Sequence, residues 1–436
     1  MALIDLMPAP LTTARDARLT ALPVAIIGAG PIGLAAAAHL AERDIPFVVY
    51  ERGAEPAAAI REWGHTRLFS PWEHLVDDAA SRLLAEVGWE APRSGRAPDG
   101  RELVAEYLEP LAAHDAIAPA IRAGVEVLAA TREGMDRTRT SGRSRTPFAL
   151  RLRLADGTVT EETARAVIDA SGTWGQANPL GSAGLAPLGW EAIADRSTGA
   201  LPDVLGADRD RFAGRHTTVV GAGHSAANTL IALASLARDE PGTRVTWMIR
   251  SAAANRISTE GDELEGRGAL GTRVRRLVAD GRIAVVDRFE ILRAERTEGG
   301  VRLHGRRGTD TAAHETDVVV AATGFRPDLG MLRELRLELD DVVEAPRRLA
   351  PLIDPNVHSC GTVSPHGYRE LAHPEAGFFI VGMKSYGRAP TFLLKTGYEQ
   401  VRSVVAWLAG DTAAAGRVEL ILPTTGVCST DAGGCC

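Results

Sequence analysis

Lysine and cysteine are nearly absent from this sequence. It contains two lysines and four cysteines in 436 residues. Four cysteines in a chain of this length do not build a disulfide scaffold. They are also unevenly placed, because Cys360 stands alone and Cys428, Cys435 and Cys436 fall within the last nine residues. No Cys-x-x-Cys or Cys-x4-Cys pair occurs anywhere in the sequence.

An excess of positive charge is also missing. The sequence has 49 basic and 56 acidic residues, which gives a net charge of −7. A slightly acidic chain is a poor general binder of polyanions, so we expect no nucleic-acid partner. All of the basic residues except Lys384 and Lys395 are arginine, and both lysines lie in one short C-terminal stretch.

Long apolar runs are missing as well. Residues 1–22 contain charged residues and prolines but no sustained apolar segment, so nothing there predicts secretion. The most apolar run, residues 24–40, contains three glycines, a proline and His39. It divides better into a strand and a helix than into a membrane span of about 20 residues. We therefore expect a cytoplasmic protein with no membrane partner; its oligomeric state stays open.

The sequence does contain two openings of the strand, glycine turn, helix, strand type. In each, a short apolar run suited to a buried parallel strand precedes the turn, and a second such run follows the helix. The first opening is predicted over strands 24–27 and 47–50 with helix 34–43, and the second over strands 217–220 and 244–249 with helix 225–238. The length fits two domains of roughly 100–200 residues each. We predict an α/β fold with two Rossmann-like dinucleotide-binding domains.

The first turn, from Gly28 to Gly33, fits the pattern G-x-G-x-x-G. Gly28 allows the tight turn, Gly30 lets the backbone approach a pyrophosphate, and Gly33 permits close helix packing. The acid expected about 20 residues further on is Glu51, which can accept hydrogen bonds from ribose hydroxyls. Its neighbour Arg52 is a further candidate for contact with the cofactor.

The second turn starts at Gly221 and Gly223 and has Ala226 at its third position, a variation that the pattern permits. Ser225 is a further candidate for phosphate contact at the start of the helix. Where the first unit has an acid, this one has Arg250, which can pair with a 2′-phosphate through two hydrogen bonds. The turn is thus predicted to prefer NADPH to NADH. Alternatively, Arg250 stands there only because arginine is abundant in this chain.

Two nested dinucleotide units, with Ala-Ala-Thr-Gly at residues 321–324 after the second, resemble the flavoproteins with two dinucleotide-binding domains. The resemblance covers roughly residues 22–410. It implies that the first turn binds FAD, the second binds NADPH, and Thr323 and Gly324 lie where the chain crosses back between domains. The implied organisation is a leader over 1–19, an FAD domain over 20–210 and 323–422, an NADPH domain over 211–322 inserted in it, and a flexible cysteine-containing tail over 423–436.

Residues 377–383 look like the last FAD contact of that family, where a strand ends at a glycine beside the flavin. By this resemblance Gly382 and Met383 contact FAD. Many members have Asp in place of Met383, and its absence is shared with the flavin-containing monooxygenases. The following helix, predicted from Thr391 to residue 408, is implied to start under the flavin, where its dipole stabilises negative charge.

Residues 61–72 follow the FAD acid at the distance where this family wraps the flavin ring. Trp63, His65, Ser70 and Pro71 are the candidate flavin neighbours in this segment. The alternative is a loop that packs its aromatic residues on the edge of the sheet. A second loop, residues 131–146, holds five arginines among Thr, Ser and Gly, and is predicted to be a solvated hairpin tip.

The members of this family differ in the molecule that receives the electrons of the reduced flavin. Disulfide reductases need a cysteine pair at the flavin, and this sequence has none outside its tail. The resemblance therefore implies a monooxygenase, in which NADPH reduces FAD, O₂ forms a C4a-hydroperoxyflavin and a soft nucleophile takes the oxygen. The motif F-x-G-x-x-x-H of flavin-containing monooxygenases is missing, and residues 171–179 keep only a related pattern. The alternatives are a thiol, disulfide or metal reductase, or a flavin sensor without turnover.

The cysteines of the tail give the clue to a substrate. Thiolates on a glycine-bearing arm suit the transient capture of soft metals or metalloids, so Cys428, Cys435 and Cys436 are candidate ligands. The combination is similar to the flavin monooxygenases associated with arsenic resistance, which oxidise trivalent arsenic or antimony. Cys360, Cys435 and Cys436 are then candidate catalytic residues, and so is Lys384, whose charge would lie near reduced flavin. The alternatives are an inert tail, a buried structural Cys360 and a chance position for the lysine.

Overall fold

The computed structural model describes residues 17–252, 265–354, 365–389 and 392–420. These residues divide into two compact units. Unit 1 comprises the described residues up to Gly175 and those from Pro327 to 420, and unit 2 comprises those from Gln176 to Arg326. In chain order the strands are β1 (Val24–Ile27), β2 (Phe47–Glu51), β3 (Ile121–Ala123), β4 (Glu126–Arg132), β5 (Phe148–Arg153), β6 (Val159–Ala164), β7 (Ala166–Asp169), β8 (Ser197–Thr198), β9 (His216–Val220), β10 (Arg244–Met248), β11 (Ala284–Val286), β12 (Phe289–Thr297), β13 (Gly300–Arg307), β14 (Asp310–Thr316), β15 (Val318–Ala321) and β16 (Phe378–Ile380).

Short helices outnumber long ones among the described residues. The helices are α1 (Ala17–Ala21), α2 (Pro31–Ala41), α3 (Ala58–Glu62), α4 (Asp78–Glu86), α5 (Gly100–Leu103), α6 (Glu109–Ala113), α7 (Arg209–Phe212), α8 (His224–Asp239), α9 (Glu265–Ala279), α10 (Ala350–Ile353), α11 (Tyr368–Leu371), α12 (Leu394–Leu408) and α13 (Thr412–Gly416). None of the helices in the described part of the chain has both the length and the apolar character needed to cross a bilayer.

Unit 1 is built on a five-stranded parallel sheet with the strand order β16-β7-β1-β2-β3. Every residue of β1, β7 and β16 is buried, because a parallel sheet is covered on both faces, and all of these residues except Asp169 at the end of β7 are apolar. Helix α2 follows β1 and packs against α12 and α4. A three-stranded antiparallel sheet, β4-β5-β6, covers the other face and shares a core with β1.

Unit 2 repeats this plan with a five-stranded parallel sheet in the order β11-β10-β9-β15-β8. Helix α8 follows β9 as α2 follows β1, and it packs against β10 and α9. A three-stranded antiparallel sheet, β12-β13-β14, completes the unit. The predicted fold class is confirmed, and the four strands of the two openings lie within one residue of their predicted bounds.

The boundary between the units differs from the one expected from the sequence. Unit 2 begins at Gln176 and not at residue 211. The reason is a two-residue strand: β8 pairs in parallel with β15, through Ser197 with Val319 and Thr198 with Val320. A strand this short leaves no pattern in a segment rich in Gly, Pro and Ala, so the sequence indicated only a connector.

The arginine-rich segment 131–146 joins the antiparallel strands β4 and β5 and is mostly exposed, as predicted for a hairpin tip, but two of its five arginines are not solvated. Arg132 and Arg143 are buried and share the buried carboxylate of Glu375, at 2.7 and 2.8 Å. Arg132 also lies over the ring of Phe148, 3.6 Å from its centroid. A buried charge needs a partner and hydrogen bonds, and here one glutamate supplies both to two arginines. The partners lie more than 230 positions apart in sequence, which no local pattern reveals.

Candidate functional site

The first glycine turn contains two glycines that the protein itself requires. Gly28 has φ +99°, and a Cβ added there would lie 2.9 Å from the carbonyl oxygen of Ala170. At Gly33 a Cβ would lie 1.9 Å from the carbonyl oxygen of Gly28. Backbone atoms cannot move away as a flexible side chain can, so both positions exclude larger residues. The turn is therefore fixed against β7 on one side and against α2 on the other.

Gly30, between them, is different. Its φ is −80°, which any residue adopts, and a Cβ there would meet no atom of the described residues within 4 Å. Gly30 is the N-cap of α2, and no side chain among the described residues caps this helix end. The free backbone N–H groups of a helix N-terminus form a ready site for phosphate. The space at Gly30 thus fits a pyrophosphate that approaches the backbone closely.

Glu51 joins this turn to the end of β2. One carboxylate oxygen accepts a hydrogen bond from the backbone N–H of Ala29 at 2.8 Å, and the other accepts one from Gly53 at 2.7 Å. Each carboxylate oxygen has more than one acceptor position, so the carboxylate can still accept hydrogen bonds from ribose hydroxyls. Arg52 is exposed, and its guanidinium lies beside Gly175, 3.1 Å from where a Cβ would stand.

The second turn also has one glycine that the backbone packing requires and one that it does not. Gly221 has φ +136°, and a Cβ there would lie 2.0 Å from the carbonyl oxygen of Ala322 on the chain after β15. Gly223 has φ −98° and, like Gly30, has open space where a Cβ would be within the described structure. Trp247 of β10 braces the turn, because its Nε1 donates to the carbonyl oxygen of Gly221 at 2.7 Å. The third position, Ala226, is buried in α8.

The other two candidates near the second turn are Ser225 and Arg250. Ser225 is the second residue of α8, and its carbonyl accepts from Thr229 at 3.0 Å. Arg250 lies two residues beyond β10 with an exposed side chain, and its guanidinium is 3.5 Å from the carbonyl oxygen of Ser182, at the limit for a hydrogen bond. The guanidinium is consequently open to an anionic ligand.

Thr323 and Gly324 pair with Asn178 inside unit 2. The Thr323 hydroxyl donates to the carbonyl oxygen of Asn178 at 2.6 Å, and the Asn178 side chain donates back to the carbonyl of Thr323 at 3.1 Å. The N–H of Asn178 donates to Gly324, whose φ is +86°. With its one hydrogen used, the Thr323 hydroxyl can only accept a hydrogen bond from a ligand.

The predicted flavin loop lies in unit 1 with all four candidate side chains half-buried. Trp63 packs at the edge of the core and tilts against Trp174, 6.4 Å between ring centroids. Pro71 precedes a short 3-10 helix whose first residue, Trp72, is buried with no hydrogen-bond partner for its Nε1 among the described residues. For the tryptophans, the alternative of packing on the core is thus supported. The four candidates are Trp63, His65, Ser70 and Pro71.

The 3-10 helix containing His74 also contacts the start of α12. Lys395 donates to the carbonyl oxygen of Glu73 at 3.3 Å. Burial lowers the pKa of His74, the nearby Glu73 carboxylate raises it, and the Lys395 cation lowers it. The net effect is a lowered pKa, which favours the neutral form of His74.

Gly382 and Met383 follow β16 at the carboxyl edge of the sheet. Gly382 has φ +69°, and a Cβ there would lie 3.1 Å from the side chain of Ile32 in α2. Its N–H donates to Gln400 of α12 at 2.7 Å. Met383 is half-buried. These contacts hold the end of β16 against the helix of the first turn, and the contact of Gly382 and Met383 with FAD stays a prediction.

Lys384 is enclosed in unit 1. Its ammonium donates to Asp169 at 2.7 Å and to the Ser171 hydroxyl at 3.0 Å, and neither ionic side chain has any exposed surface. Catalytic contact with a flavin or substrate requires accessible atoms. In the described structure Lys384 therefore belongs to an internal ion pair and offers no atom for direct contact with a ligand, whereas the expected effect of its charge on reduced flavin stays a prediction.

Asp169 and Ser171 are candidate site residues that sequence reasoning missed. Asp169 ends β7 and Ser171 follows two residues later, and β7 pairs with β1 so that Asp169 lies opposite Ile27. An acid and a hydroxyl that follow a buried strand were a usable signal, because ligands bind at the carboxyl edge of a parallel sheet. Five predicted site residues lie outside the described residues: Cys360, Thr391, Cys428, Cys435 and Cys436.

Comparison with solved structures shows the same fold in several enzymes. A bacillithiol disulfide reductase from Bacillus cereus has 19% identity and a TM-score of 0.65, and the match covers 89% of this chain and 99% of that chain. A flavin-containing monooxygenase from Stenotrophomonas maltophilia has 22% identity and a TM-score of 0.57 over 89% of this chain and 98% of that chain. An ornithine N-hydroxylase from Kutzneria sp. 744, with reduced FAD, NADP⁺ and L-ornithine, has 16% identity and a TM-score of 0.59 over 90% and 99%.

No curated protein matches the sequence. The sequence does match the pyridine nucleotide-disulphide oxidoreductase family over residues 25–141 and 198–359. These two stretches make up more than half of the chain and contain both glycine turns, Glu51 and Arg250. Members of this family are oxidoreductase enzymes. The chain belongs to the pyridine nucleotide-disulphide oxidoreductase family.

Proposed function

We propose that this protein is an NADPH-dependent flavoenzyme in which the first turn binds FAD and the second binds NADPH. The observation that carries the proposal is the open space at Gly30 and Gly223. None of the described residues requires glycine at these two positions, so a ligand that approaches the backbone accounts for both. Each position caps a helix of more than ten residues, whose N-terminus favours a phosphate anion.

The choice of NADPH over NADH rests on Arg250. The first unit has Glu51 at the end of its second strand, where a carboxylate accepts from ribose hydroxyls and repels a 2′-phosphate. The second unit has an exposed guanidinium in the corresponding part of the chain, and guanidinium pairs with phosphate in a two-pronged arrangement. This charge difference supports different dinucleotides at the two turns.

For the flow of electrons beyond FAD, we infer a monooxygenase. Bound FAD would supply hydride acceptance and oxygen activation, and the protein would supply binding and orientation. Outside its tail, the sequence has no cysteine pair that could pass electrons to a disulfide. The same fold occurs in named monooxygenases and in a disulfide reductase, so the cysteine pattern, and not the fold, supports the choice.

The proposed substrate is a soft nucleophile, with trivalent arsenic or antimony as the specific hypothesis. This hypothesis rests on the sequence alone. The thiols that would capture the metalloid, Cys428, Cys435 and Cys436, lie outside the described residues. Thiolate is the preferred ligand of soft ions, which is the chemistry that supports it.

A matched set of NADPH-oxidation assays tests the proposal. The purified protein with FAD is mixed with NADPH, with and without O₂, and with arsenite, antimonite or glutathione disulfide. The monooxygenase proposal predicts that arsenite or antimonite accelerates NADPH consumption only when O₂ is present. Replacing Cys435 and Cys436 by serine should then raise KM for the metalloid without changing FAD content. Stimulation by the disulfide without O₂ would instead establish the reductase alternative, and O₂ consumption that ends only in peroxide would contradict the monooxygenase.

A further inference from the structure

Asp169, Ser171 and Lys384 form a closed ring of hydrogen bonds in unit 1. Lys384 donates to Asp169 at 2.7 Å and to the Ser171 hydroxyl at 3.0 Å. The Ser171 hydroxyl donates to the second oxygen of Asp169 at 2.6 Å, and the Ser171 backbone N–H donates to that same oxygen at 3.1 Å. All three polar groups therefore hold each other in one arrangement.

Only one member of the ring reaches the surface. The side chains of Asp169 and Lys384 are completely buried, whereas Ser171 is exposed. Burying an ion pair costs desolvation energy that mutual attraction repays only with good geometry and further hydrogen bonds. Here Ser171 supplies such hydrogen bonds to both ions. Ser171 is therefore a surface serine whose hydroxyl is oriented by hydrogen bonds to two buried charged side chains.

Ser171 lies directly beside the first glycine turn. The Cβ that Gly28 lacks would stand 3.1 Å from the Cα of Ser171. The strand order β16-β7-β1-β2 places this point between β7 and β1, where the chain leaves the sheet in opposite directions. In open parallel sheets, ligands bind in the crevice at such a switch point. Ser171 is thus at the edge of the crevice in which the first turn would hold the pyrophosphate.

The ring also determines what Ser171 can bind. A hydroxyl has one hydrogen to donate and two acceptor positions. Its hydrogen is given to Asp169 and one acceptor position is taken by Lys384, which leaves one acceptor position. A pyrophosphate only accepts hydrogen bonds, so Ser171 cannot bind it. The sugar hydroxyls on either side of the pyrophosphate, on ribityl and on ribose, can donate.

We propose that Ser171 is a cofactor-binding residue that accepts a hydrogen bond from a sugar hydroxyl of FAD, and that Asp169 and Lys384 are positioning residues which hold it as an acceptor. This inference rests on the proposed binding of FAD at the first turn. It gives Lys384 a role that needs no contact with the flavin. It also accounts for a lysine in an arginine-rich chain, because a compact ammonium fits an enclosed site between two acceptors.

Binding of FAD to apoprotein tests the inference without turnover. Ser171→Ala removes the acceptor and leaves the ion pair, and we expect it to weaken FAD binding by about five- to tenfold, the effect of one ordinary hydrogen bond. Ser171→Thr should restore the affinity because it restores the hydroxyl. Ser144→Ala, at another exposed serine of unit 1, is the matched control and should bind FAD as the wild type does.

Two simpler probes identify the sugar. Weaker binding of FMN to Ser171→Ala would assign the ribityl chain, and weaker binding of ADP would assign the ribose. Unchanged FAD affinity in Ser171→Ala, with wild-type protein that binds FAD, would overturn the inference and leave the proposed function intact. Failure of the wild type to bind FAD at all would overturn the proposed function instead.

The positioning role needs variants that fold. Asp169→Asn combined with Lys384→Met removes both charges together and keeps similar side-chain shapes, which leaves no lone buried ion. If the two residues position Ser171, this double variant should weaken FAD binding as much as Ser171→Ala does. Wild-type FAD affinity in the double variant would overturn the positioning role.

Discussion

Each of the two turns begins with a glycine whose added Cβ would clash with the backbone, and each has a second glycine with open space at that point. The turns differ at their third position, and the strands that follow them end with different residues. The first turn has Gly33, where a Cβ would lie 1.9 Å from a carbonyl oxygen, and the second has a buried alanine, Ala226. The first unit ends β2 with Glu51, and the second has Arg250 after β10. The comparison separates glycines that the fold needs from glycines that a ligand needs, a distinction that the shared sequence pattern hides.

The largest effect should come from giving the first turn the residue of the second. Gly33→Ala places a methyl group against the backbone of Gly28, so we expect a loss of about 3 kcal/mol or more in the free energy of unfolding. The reciprocal change, Ala226→Gly, should cost only about 1 kcal/mol, the usual effect of glycine in a helix. Denaturant unfolding of the apoproteins measures both. Similar losses in the two variants would show that the turns do not differ in packing.

The open glycines should behave in the opposite way. Gly30→Ala should leave apoprotein stability unchanged or raise it by about 0.4–1 kcal/mol, because alanine restricts the unfolded chain and fits the native φ. The methyl group should nevertheless obstruct the pyrophosphate and weaken FAD binding by at least tenfold. Gly223→Ala should do the same for NADPH and leave FAD binding intact. Titrations of each cofactor measure this, and a variant that loses stability but not affinity would contradict the distinction.

The difference between Glu51 and Arg250 predicts a change of cofactor preference. Arg250→Ala should raise KM for NADPH by about tenfold or more, since a charge-assisted hydrogen bond is worth about 1.5–3 kcal/mol, and should affect NADH little. Arg250→Lys keeps the positive charge but loses the two-pronged hydrogen bonding of the guanidinium, so its KM for NADPH should lie between those of the wild type and Arg250→Ala. Steady-state kinetics with both nucleotides measures the effect. Equal changes for NADPH and NADH would mean that Arg250 does not recognise the 2′-phosphate.

The smallest effect concerns the response of the units to acid. His314 in unit 2 and His373 in unit 1 are largely buried, and desolvation lowers the pKa of each from 6.5 to about 4. The folded state thus disfavours the charged form of both histidines. Their contribution to the free energy of unfolding is therefore fully present above pH 6.5 and is lost as the pH falls from 6.5 towards 4. Around His314 and its neighbour His216, the charged side chains are Arg244 and Asp317.

His314→Gln should remove part of this pH dependence from unit 2 only, because glutamine does not titrate and can still hydrogen-bond to Thr218. Hydrogen exchange of strands β9 and β14 between pH 7 and pH 5 measures unit 2, and exchange of β16 measures unit 1 as the internal control. An unaltered pH dependence in β9 and β14 would show that His314 does not carry the effect.

The sequence predicted those features that lie within one short stretch of chain. Both turns, Glu51 and the strands around them follow from spacing and apolar runs, since buried parallel strands and tight turns restrict the residues that can form them. It did not predict pairs joined by the fold. Asp169 and Lys384 are 215 positions apart, and β8 joins unit 2 through only two residues. Nothing local to either partner specifies such contacts.

Lys384 shows how this limit affects a site. Its rarity and its place after β16 indicated that it matters, and the resemblance implied a role at the flavin. The structure gives it a partner from β7 and removes it from the surface. A residue type and a position can indicate importance, whereas direct contact with a ligand depends on exposure, which the three-dimensional fold decides.

The most direct test of the central claim follows the absorbance of bound FAD after anaerobic addition of NADPH, in the wild type, Gly30→Ala and Gly223→Ala. NADPH should bleach the flavin of the wild type, Gly30→Ala should retain little FAD to bleach, and Gly223→Ala should hold FAD but be reduced slowly. Wild-type behaviour in both variants, with folded protein in each, would contradict the assignment of FAD to the first turn and NADPH to the second.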